Sequence, residues 1–284
     1  MKARSGRERC AVKVKDVLGW LDGLAPFDSA EDFDNVGLLL GDEEAAVRGV
    51  TFGMDVTEAL VDEALAHGDG LIVTHHPFIF HALKRINYHE PQGRVLLKLT
   101  ANRVCVIAAH TNWDKAPGGI SDSLAQALGL RDVSAPDEFL RLGTLSAPLS
   151  PEAVGALIRR SLHIDARCYP ASDAPIARVA VAGGAYGEGY ALAAQSGAQA
   201  FVVGEIRHHE LLDAYARGLT VYDAGHFPTE LPGVMSLYER FLADATRAGW
   251  PVKAHLHFQP HTRARFWPPE GFPYEPQGGT HGTD

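Results

Sequence analysis

Residues 71–77 read LIVTHHP. The run LIVT follows a Gly68-Asp69-Gly70 turn and reads as a short strand buried on both faces. Pro77 fixes its own φ and lacks an N–H, so the chain turns at once and leaves His75 and His76 at the carboxyl end of that strand. Successive side chains on an extended chain alternate faces, but a turn at the strand end brings both rings within reach of one cavity. Outward from this point, Val50 to Val56 reads as a strand, Thr57 as the cap of a helix running to His67, residues 92–101 as a helix and Val104 to Ala109 as a strand. Gly118-Gly119 turns the chain into a helix over 121–128, and residues 11–24 carry Val14, Val17, Leu18 and Leu21 at helical spacing.

Residues 131–176 are punctuated by Pro136, Pro148, Pro151, Pro170 and Pro175 and read as an irregular connector, bridged by a helix near 151–162. The rhythm then repeats: strand Arg178 to Ala182, a Gly183-Gly184 turn, a helix near 187–196, strand Ala200 to Val203, helix 208–217 and strand Leu219 to Asp223. The expectation is an α/β fold of two similar halves with mostly parallel sheets. The first half spans 1–130, the connector 131–176, the second half 177–267 and a Pro/Gly-rich surface tail 268–284. In such sheets ligands bind beyond the carboxyl ends of the strands, so the polar clusters there should converge on one region, a cleft between the halves.

Composition narrows the function classes. The 284 residues carry 26 Lys+Arg against 35 Asp+Glu, a formal charge of −9, and 46% of them are hydrophobic. That apolar content builds a sizeable core and excludes disorder over the whole length. The negative surplus weighs against nucleic acid, whose binding draws on neutralised phosphates. Cys10, Cys105 and Cys168 are too few and too scattered for a disulfide framework or a thiolate metal site, which fits a reducing cytoplasm, and Cys105 reads as an inert buried thiol. The basic start, Met1 to Cys10, resembles a signal n-region, but Lys13, Lys15 and Asp16 interrupt any apolar stretch after it, and it reads as a frayed leader. Runs such as Val104 to Ala109 fall far short of the roughly 20 residues that cross a bilayer, so no membrane span is expected.

Of the fourteen histidines, His67, His81, His89, His163, His261 and His281 lack a partner at useful spacing and read as solvated or structural. His255 and His257 alternate on one side of a strand and are read as structural too. The other sets differ. His110 and Asp114 lie four apart after one strand, and His226 and Glu230 lie four apart after another, so each pair offers an imidazole and a carboxylate on one turn. Mixed nitrogen and oxygen donors of this kind suit Zn, Fe, Mn, Co or Ni. With His75 and His76 they exceed one tetrahedral site, and a pair of divalent ions with a bridging carboxylate would use most of them. A polar site mouth without metal is the competing reading.

The order ThrHisHisPro at 74–77, HisThrAsnTrpAsp at 110–114, GlyGluIleArgHisHis at 204–209 and GlyHisPheProThrGlu at 225–230, with AspPheAspAsnValGlyLeu at 32–38, resembles the GTP cyclohydrolase 1 type 2 homologues, also called Nif-three-like dinuclear-metal proteins. The resemblance covers roughly residues 12–130 and 176–260. It implies metal ligation by His75, His76, Asp114, His226 and Glu230, with Glu230 as the bridge. His110, Thr111, Glu205 and His209 would line the same cleft, with His110, Glu205 and His209 as the catalytic candidates. It also implies two divalent ions per chain and a homo-oligomer, a hexameric toroid with its metal sites facing an internal cavity. The large inserted domain of longer members has no counterpart in the roughly 45 residues between the halves.

The activity that the resemblance implies is a metal-dependent hydrolase that opens the guanine ring of GTP and releases formate, with Glu205 or His209 as proton carriers. There is no Walker loop, and the cations near the motifs are Lys84, Arg85, Lys115 and Arg207, so another phosphorylated or cyclic amide substrate fits equally well. A metal-handling protein and a toroidal regulatory scaffold are the alternatives outside enzymology. Gly183-Gly184-Ala185-Tyr186-Gly187 reads as a tight turn rather than a phosphate cradle, Asp55 as support for a metal histidine, and Asp32, Asp34 and Asn35 as loop anchors.

Overall fold

A computed structural model of the chain describes residues 11–258. The leader, the tail, Cys10, His261 and His281 lie outside the described residues. In chain order the first elements are α1 (Val14–Leu24), β1 (Gly37–Leu40), β2 (Gly49–Gly53), α2 (Glu58–His67), β3 (Leu71–Thr74), α3 (Pro91–Ala101), β4 (Cys105–Ala108), α4 (Thr111–Lys115) and α5 (Ile120–Ala127). Then come β5 (Arg131–Ser134), β6 (Arg141–Leu149), α6 (Pro151–Leu162), β7 (Arg167–Tyr169), β8 (Ile176–Ala182), α7 (Tyr190–Gln195), β9 (Ala200–Val203), α8 (His208–Ala216), β10 (Thr220–Asp223), α9 (His226–Ala248) and β11 (Lys253–Leu256).

Two sheets result, in the orders β1-β4-β3-β2-β11 and β5-β6-β8-β9-β10-β7. Strands β4-β3-β2-β11 of one sheet and β8-β9-β10 of the other run parallel; β1 is added antiparallel to β4 in the first, and β6 and β7 antiparallel to β8 and β10 in the second. The central strands GVTFG, LIVT, CVIA and AFVV are buried along their whole length, as strands covered on both faces by helices must be. Between them the helices are punctuated as expected: the Thr57 hydroxyl accepts from Leu60 N at 3.2 Å at the start of α2, and Gly68 at φ 74° ends it.

Residues 131–176 are not irregular. They supply β5, β6, α6 and β7, and all three strands join the second sheet. The prolines sit where a strand or helix tolerates them. Pro148 falls in the irregular register between Thr144 and Leu149 of β6, Pro151 begins α6, and Pro170 and Pro175 lie just outside β7 and β8.

Nor does the chain past Asp223 stay with the second sheet. α9 starts beside the end of β10, and its Leu237, Phe241 and Ala245 enter the core of the first sheet. β11 then pairs in parallel with β2, Lys253 opposite Gly49 and Leu256 opposite Phe52. This crossing helix brings the carboxyl ends of both sheets to one place. Among the described residues, no helix is long and apolar enough to cross a membrane.

Candidate metal centre

His75 and His76 continue the ladder past the end of β3. Their N–H groups donate to the Gly53 and Met54 carbonyls at 3.2 and 3.0 Å, and the Thr74 hydroxyl donates to His76 O at 2.9 Å. The turn before Pro77 is thus held by backbone bonds that fix where both rings begin.

The HTNWD stretch after β4 is built as an anchored single turn. Trp113 is fully buried in the first core and donates its indole N–H to the Gly233 carbonyl of α9 at 3.1 Å. Burying such a side chain contributes about 1.5–3 kcal/mol, enough to seat a helix that is too short to hold itself. Asn112, also fully buried, donates to Ala25 O at 2.8 Å and accepts from His110 N at 2.9 Å. The two side chains flanking this anchor, His110 and Asp114, are left to face the cluster.

The third contribution comes from the first turn of α9. His226 and Glu230 are one helical turn apart and share a face, with His226 Nε2 3.1 Å from Glu230 Oε1. Thr229 between them accepts from Gly184 N at 3.1 Å, which ties α9 to the turn after β8.

Every one of the four imidazoles has its Nδ1 committed to an oxygen. His75 donates to Ala109 O at 2.9 Å, His76 to Asp55 Oδ1 at 2.7 Å, His110 to Asp34 Oδ1 at 2.8 Å and His226 to Glu205 Oε1 at 2.8 Å. A carbonyl or carboxylate can only accept, so each Nδ1 carries the hydrogen. In a neutral ring the Nε2 lone pair is then free. For three of the rings, Nε2 points at carboxylate oxygens or at another Nε2. His75 Nε2 is 3.5 Å from Asp114 Oδ1 and 3.6 Å from Glu230 Oε1, His76 Nε2 is 3.1 Å from Glu230 Oε2, and the Nε2 atoms of His76 and His226 are 3.2 Å apart. The His110 ring joins them through edge contacts at 5.1 Å to His75 and 5.5 Å to His76.

Two buried atoms here have no hydrogen-bond partner among the described residues, His75 Nε2 and Glu230 Oε2. The 3.1 Å approach of His76 to that oxygen lacks hydrogen-bond alignment. Lone pairs gathered at this density repel unless a cation sits among them. The donors sort into two triads that share one residue, His76-His226-Glu230 and His75-Asp114-Glu230, each with its ligand atoms within 4.8 Å of one another.

Protons are the cations available without metal. Burial is the largest influence on His76 and opposes its charge, but the hydrogen bond to Asp55 and the closely approaching Glu230 carboxylate together lift it to about 10. His226 is likewise opposed by burial and lifted to about 9 by Glu230 and Glu205. Burial pushes Asp114 up to about 7, with the neighbouring His75 charge acting against it. Glu230 is opposed by burial as well, yet the charge of His75 and the close approach of the His226 and His76 imidazoles hold it well below the ordinary carboxylate range. Asp34 follows the same pattern, lowered by His110 and Thr111 despite its burial.

The sequence-predicted residues do not all arrive. His75, His76, Asp114, His226 and Glu230 come together, and His110 lies beside them. Glu205 touches the cluster only through His226 Nδ1, with its own side chain 61% exposed. Thr111 faces Asp34, donating its hydroxyl to Oδ2 at 2.5 Å. His209 is exposed on α8, and no hydrogen bond, ion pair or ring contact of the cluster involves it. Asp34, read only as a loop anchor, is the residue whose role sequence reasoning undervalued, since it orients His110 from 76 positions away. Lys115 is spent on Glu31 and Glu138, at 2.6 and 3.2 Å.

Residues 12–260 match the family model described as Duf34/NIF3 (NGG1p interacting factor 3). Among curated relatives, a GTP cyclohydrolase 1 type 2 homolog of Streptomyces coelicolor is 33% identical over 262 residues, covering 86% of this chain and 90% of the relative. One from Clostridium perfringens is 30% identical over 238 residues, covering 81% of this chain and 91% of its own. Among solved structures, a hypothetical protein of Staphylococcus aureus superposes with a TM-score of 0.85 at 26% identity, over 90% of this chain and all of that one. A Bacillus cereus protein related to NIF3 gives 0.85 at 21% identity, over 90% of this chain and 99% of that one, a likeness of fold alone.

Proposed function

The chain belongs to the Duf34/NIF3 family, and on that premise we propose that its histidine–carboxylate cluster is a dinuclear divalent-metal centre that serves a metal-dependent hydrolase. The observation that carries this reading is the pair of triads joined at Glu230, with partnerless Nε2 and Oε2 atoms buried where ions would sit. His76 and His226 would hold one ion and His75 and Asp114 the other, with Glu230 common to both sets. The donor set suits Zn, Fe, Mn, Co or Ni, and the two carboxylates offset part of the ionic charge. Such ions, when bound, polarise a substrate oxygen and make water acidic enough to attack near neutral pH.

The protein's own groups divide the remaining work. Asp55, Asp34, Glu205 and the Ala109 carbonyl fix the Nδ1 tautomer of each ring and aim Nε2 inward. His110, beside the ligands and backed by the buried Asp34 carboxylate, is the group suited to accept and return a proton at Nε2. Glu205 acts as a positioning residue for His226, and His209 has no part in this reading. The relatives' name makes GTP the first substrate to try, with formate released on ring opening. Assembly into a hexameric toroid is part of the same proposal.

Elemental analysis of the purified protein, with formate release from GTP followed before and after chelation and in Glu230→Ala, tests it. About two ions per chain and turnover that vanishes on chelation and in the variant support the reading. Two tightly held ions without turnover redirect it to another substrate or to metal handling. Protein that takes up no Zn, Mn or Fe refutes the dinuclear centre.

A further inference from the structure

We propose that His67, Asp69 and His255 form a separate site for a single zinc-class divalent ion, with a structural task. His67 ends α2, Asp69 lies in the turn between α2 and β3, and His255 is on β11, the edge strand of the first sheet. One nitrogen from each imidazole and one oxygen from the carboxylate lie within 4.8 Å of one another. Asp69 stands at the start of β3 and His75 beyond its end, so roughly 20 Å of extended chain separates this trio from the dinuclear cluster. The inference is independent of what that cluster does.

Three features distinguish the trio from an ordinary surface contact. First, the carboxylate is buried and aimed. Asp69 is 4% exposed, and its Oδ2 accepts from the Thr51 hydroxyl at 2.7 Å and from His255 Nδ1 at 2.7 Å. It reaches that place because position 49 on β2 is glycine, where a methyl would overlap Asp69 Oδ1. A ligand carboxylate held by a second hydrogen-bonding group is the usual support of a metal site.

Second, the His67 and His255 rings stack face to face, with centroids 3.8 Å apart and planes 26° from parallel. The stack sets one ring nitrogen of each imidazole near the same carboxylate, and two imidazoles with a carboxylate are the donor types that zinc and its neighbours take. The proton shared by His255 and Asp69 gives way to the ion, and exposed His67 has the freedom to close on it. Water completes the coordination from the solvent side.

Third, the ligands come from places that benefit from being joined. His255 and Asp69 are 186 positions apart, and among the described residues β11 pairs with β2 alone. An ion that ties the edge strand to the end of α2, and is released on unfolding, adds its binding free energy to folding.

The test is equilibrium dialysis of the full-length protein against buffered zinc, with elemental analysis of zinc per chain. Glu230→Gln protein serves as the background in which the main cluster is weakened, and it is compared with and without His67→Ala or His255→Gln. The expected result is one zinc per chain that survives Glu230→Gln and is lost with either histidine, its affinity falling at least about tenfold. Thr51→Val, which removes the hydroxyl that aims Asp69, lowers zinc affinity by about 10–100-fold. His67 is exposed, so His67→Ala is expected to fold like its parent, which circular dichroism checks. Equal zinc content and affinity with and without His67 overturn the proposal and leave the trio a hydrogen-bonded tether. Zinc content unchanged by Glu230→Gln counts against the dinuclear reading alone.

Discussion

Gly184 offers a way to disturb the dinuclear cluster without touching a ligand. It follows β8 at φ +60°, in the left-handed region, where an L side chain costs about 1–2 kcal/mol. A methyl at this position overlaps Glu230 Oε1 and lies 3.2 Å from Glu230 Cδ and 3.3 Å from His226 Nε2. The fold can absorb that methyl by swinging the carboxylate aside. The ligand set cannot, because restoring van der Waals contact moves the oxygen by roughly 1 Å, several times the roughly 0.2 Å that metal–ligand distances tolerate. Gly184→Ala should therefore lose about 1–2 kcal/mol of stability as metal-free protein and at least about tenfold in metal affinity. Gly218→Ala, after α8, is the control: at φ +73° with nothing within 4 Å, it carries the same backbone cost and meets no neighbour. Urea denaturation of chelator-treated protein reads the first quantity, and competition with a chromophoric zinc chelator reads the second. If Gly184→Ala binds zinc as tightly as Gly218→Ala, Glu230 Oε1 is not where the metal is held.

Two further outcomes follow from the same geometry. Without metal, His76, His226 and Asp114 titrate at about 10, about 9 and about 7, each above its ordinary value, so the folded chain holds these protons more tightly than the unfolded chain. The histidine contribution is complete below the ordinary value of 6.5 and disappears as pH rises through about 9 and about 10, while ionisation of Asp114 costs stability up to about pH 7. Melting temperatures of chelator-treated protein should fall between pH 6 and 10, and the zinc-induced increase should grow with pH because metal displaces those protons; a chelated protein that melts higher at pH 9 than at pH 6 contradicts this. Asp34→Asn keeps the shape of an enclosed side chain that accepts from His110 Nδ1 at 2.8 Å and Thr111 N at 3.0 Å, but removes its charge. We expect a loss of about 2–3 kcal/mol in urea denaturation, the worth of hydrogen bonds to a charged group, and an unchanged midpoint would show that the contact carries none of it.

Much of the parallel framework is legible locally. LIVT, CVIA and AFVV are unbroken apolar runs because strands covered on both faces need apolar side chains on both, and the polar residues that end them fall where such sheets bind ligands. His226 and Glu230 are equally legible as a pair, since a spacing of four on a helix puts two side chains on one face whatever surrounds them.

The rest depended on packing. Prolines made residues 131–176 look irregular, and only the neighbouring strands decide that β5, β6 and β7 are strands, because a ladder is a property of two segments. Nothing in KAHL, at 253–256, says that it returns to β2, which requires α9 to span the two sheets first. The grip of Asp34 on His110 and the meeting of His255 with Asp69 join residues 76 and 186 positions apart. Residue type and spacing specify which chemistry a side chain carries and which face of its own element it occupies. Whether that chemistry finds a partner depends on distances between elements, and those exist only once the apolar faces have been buried against each other.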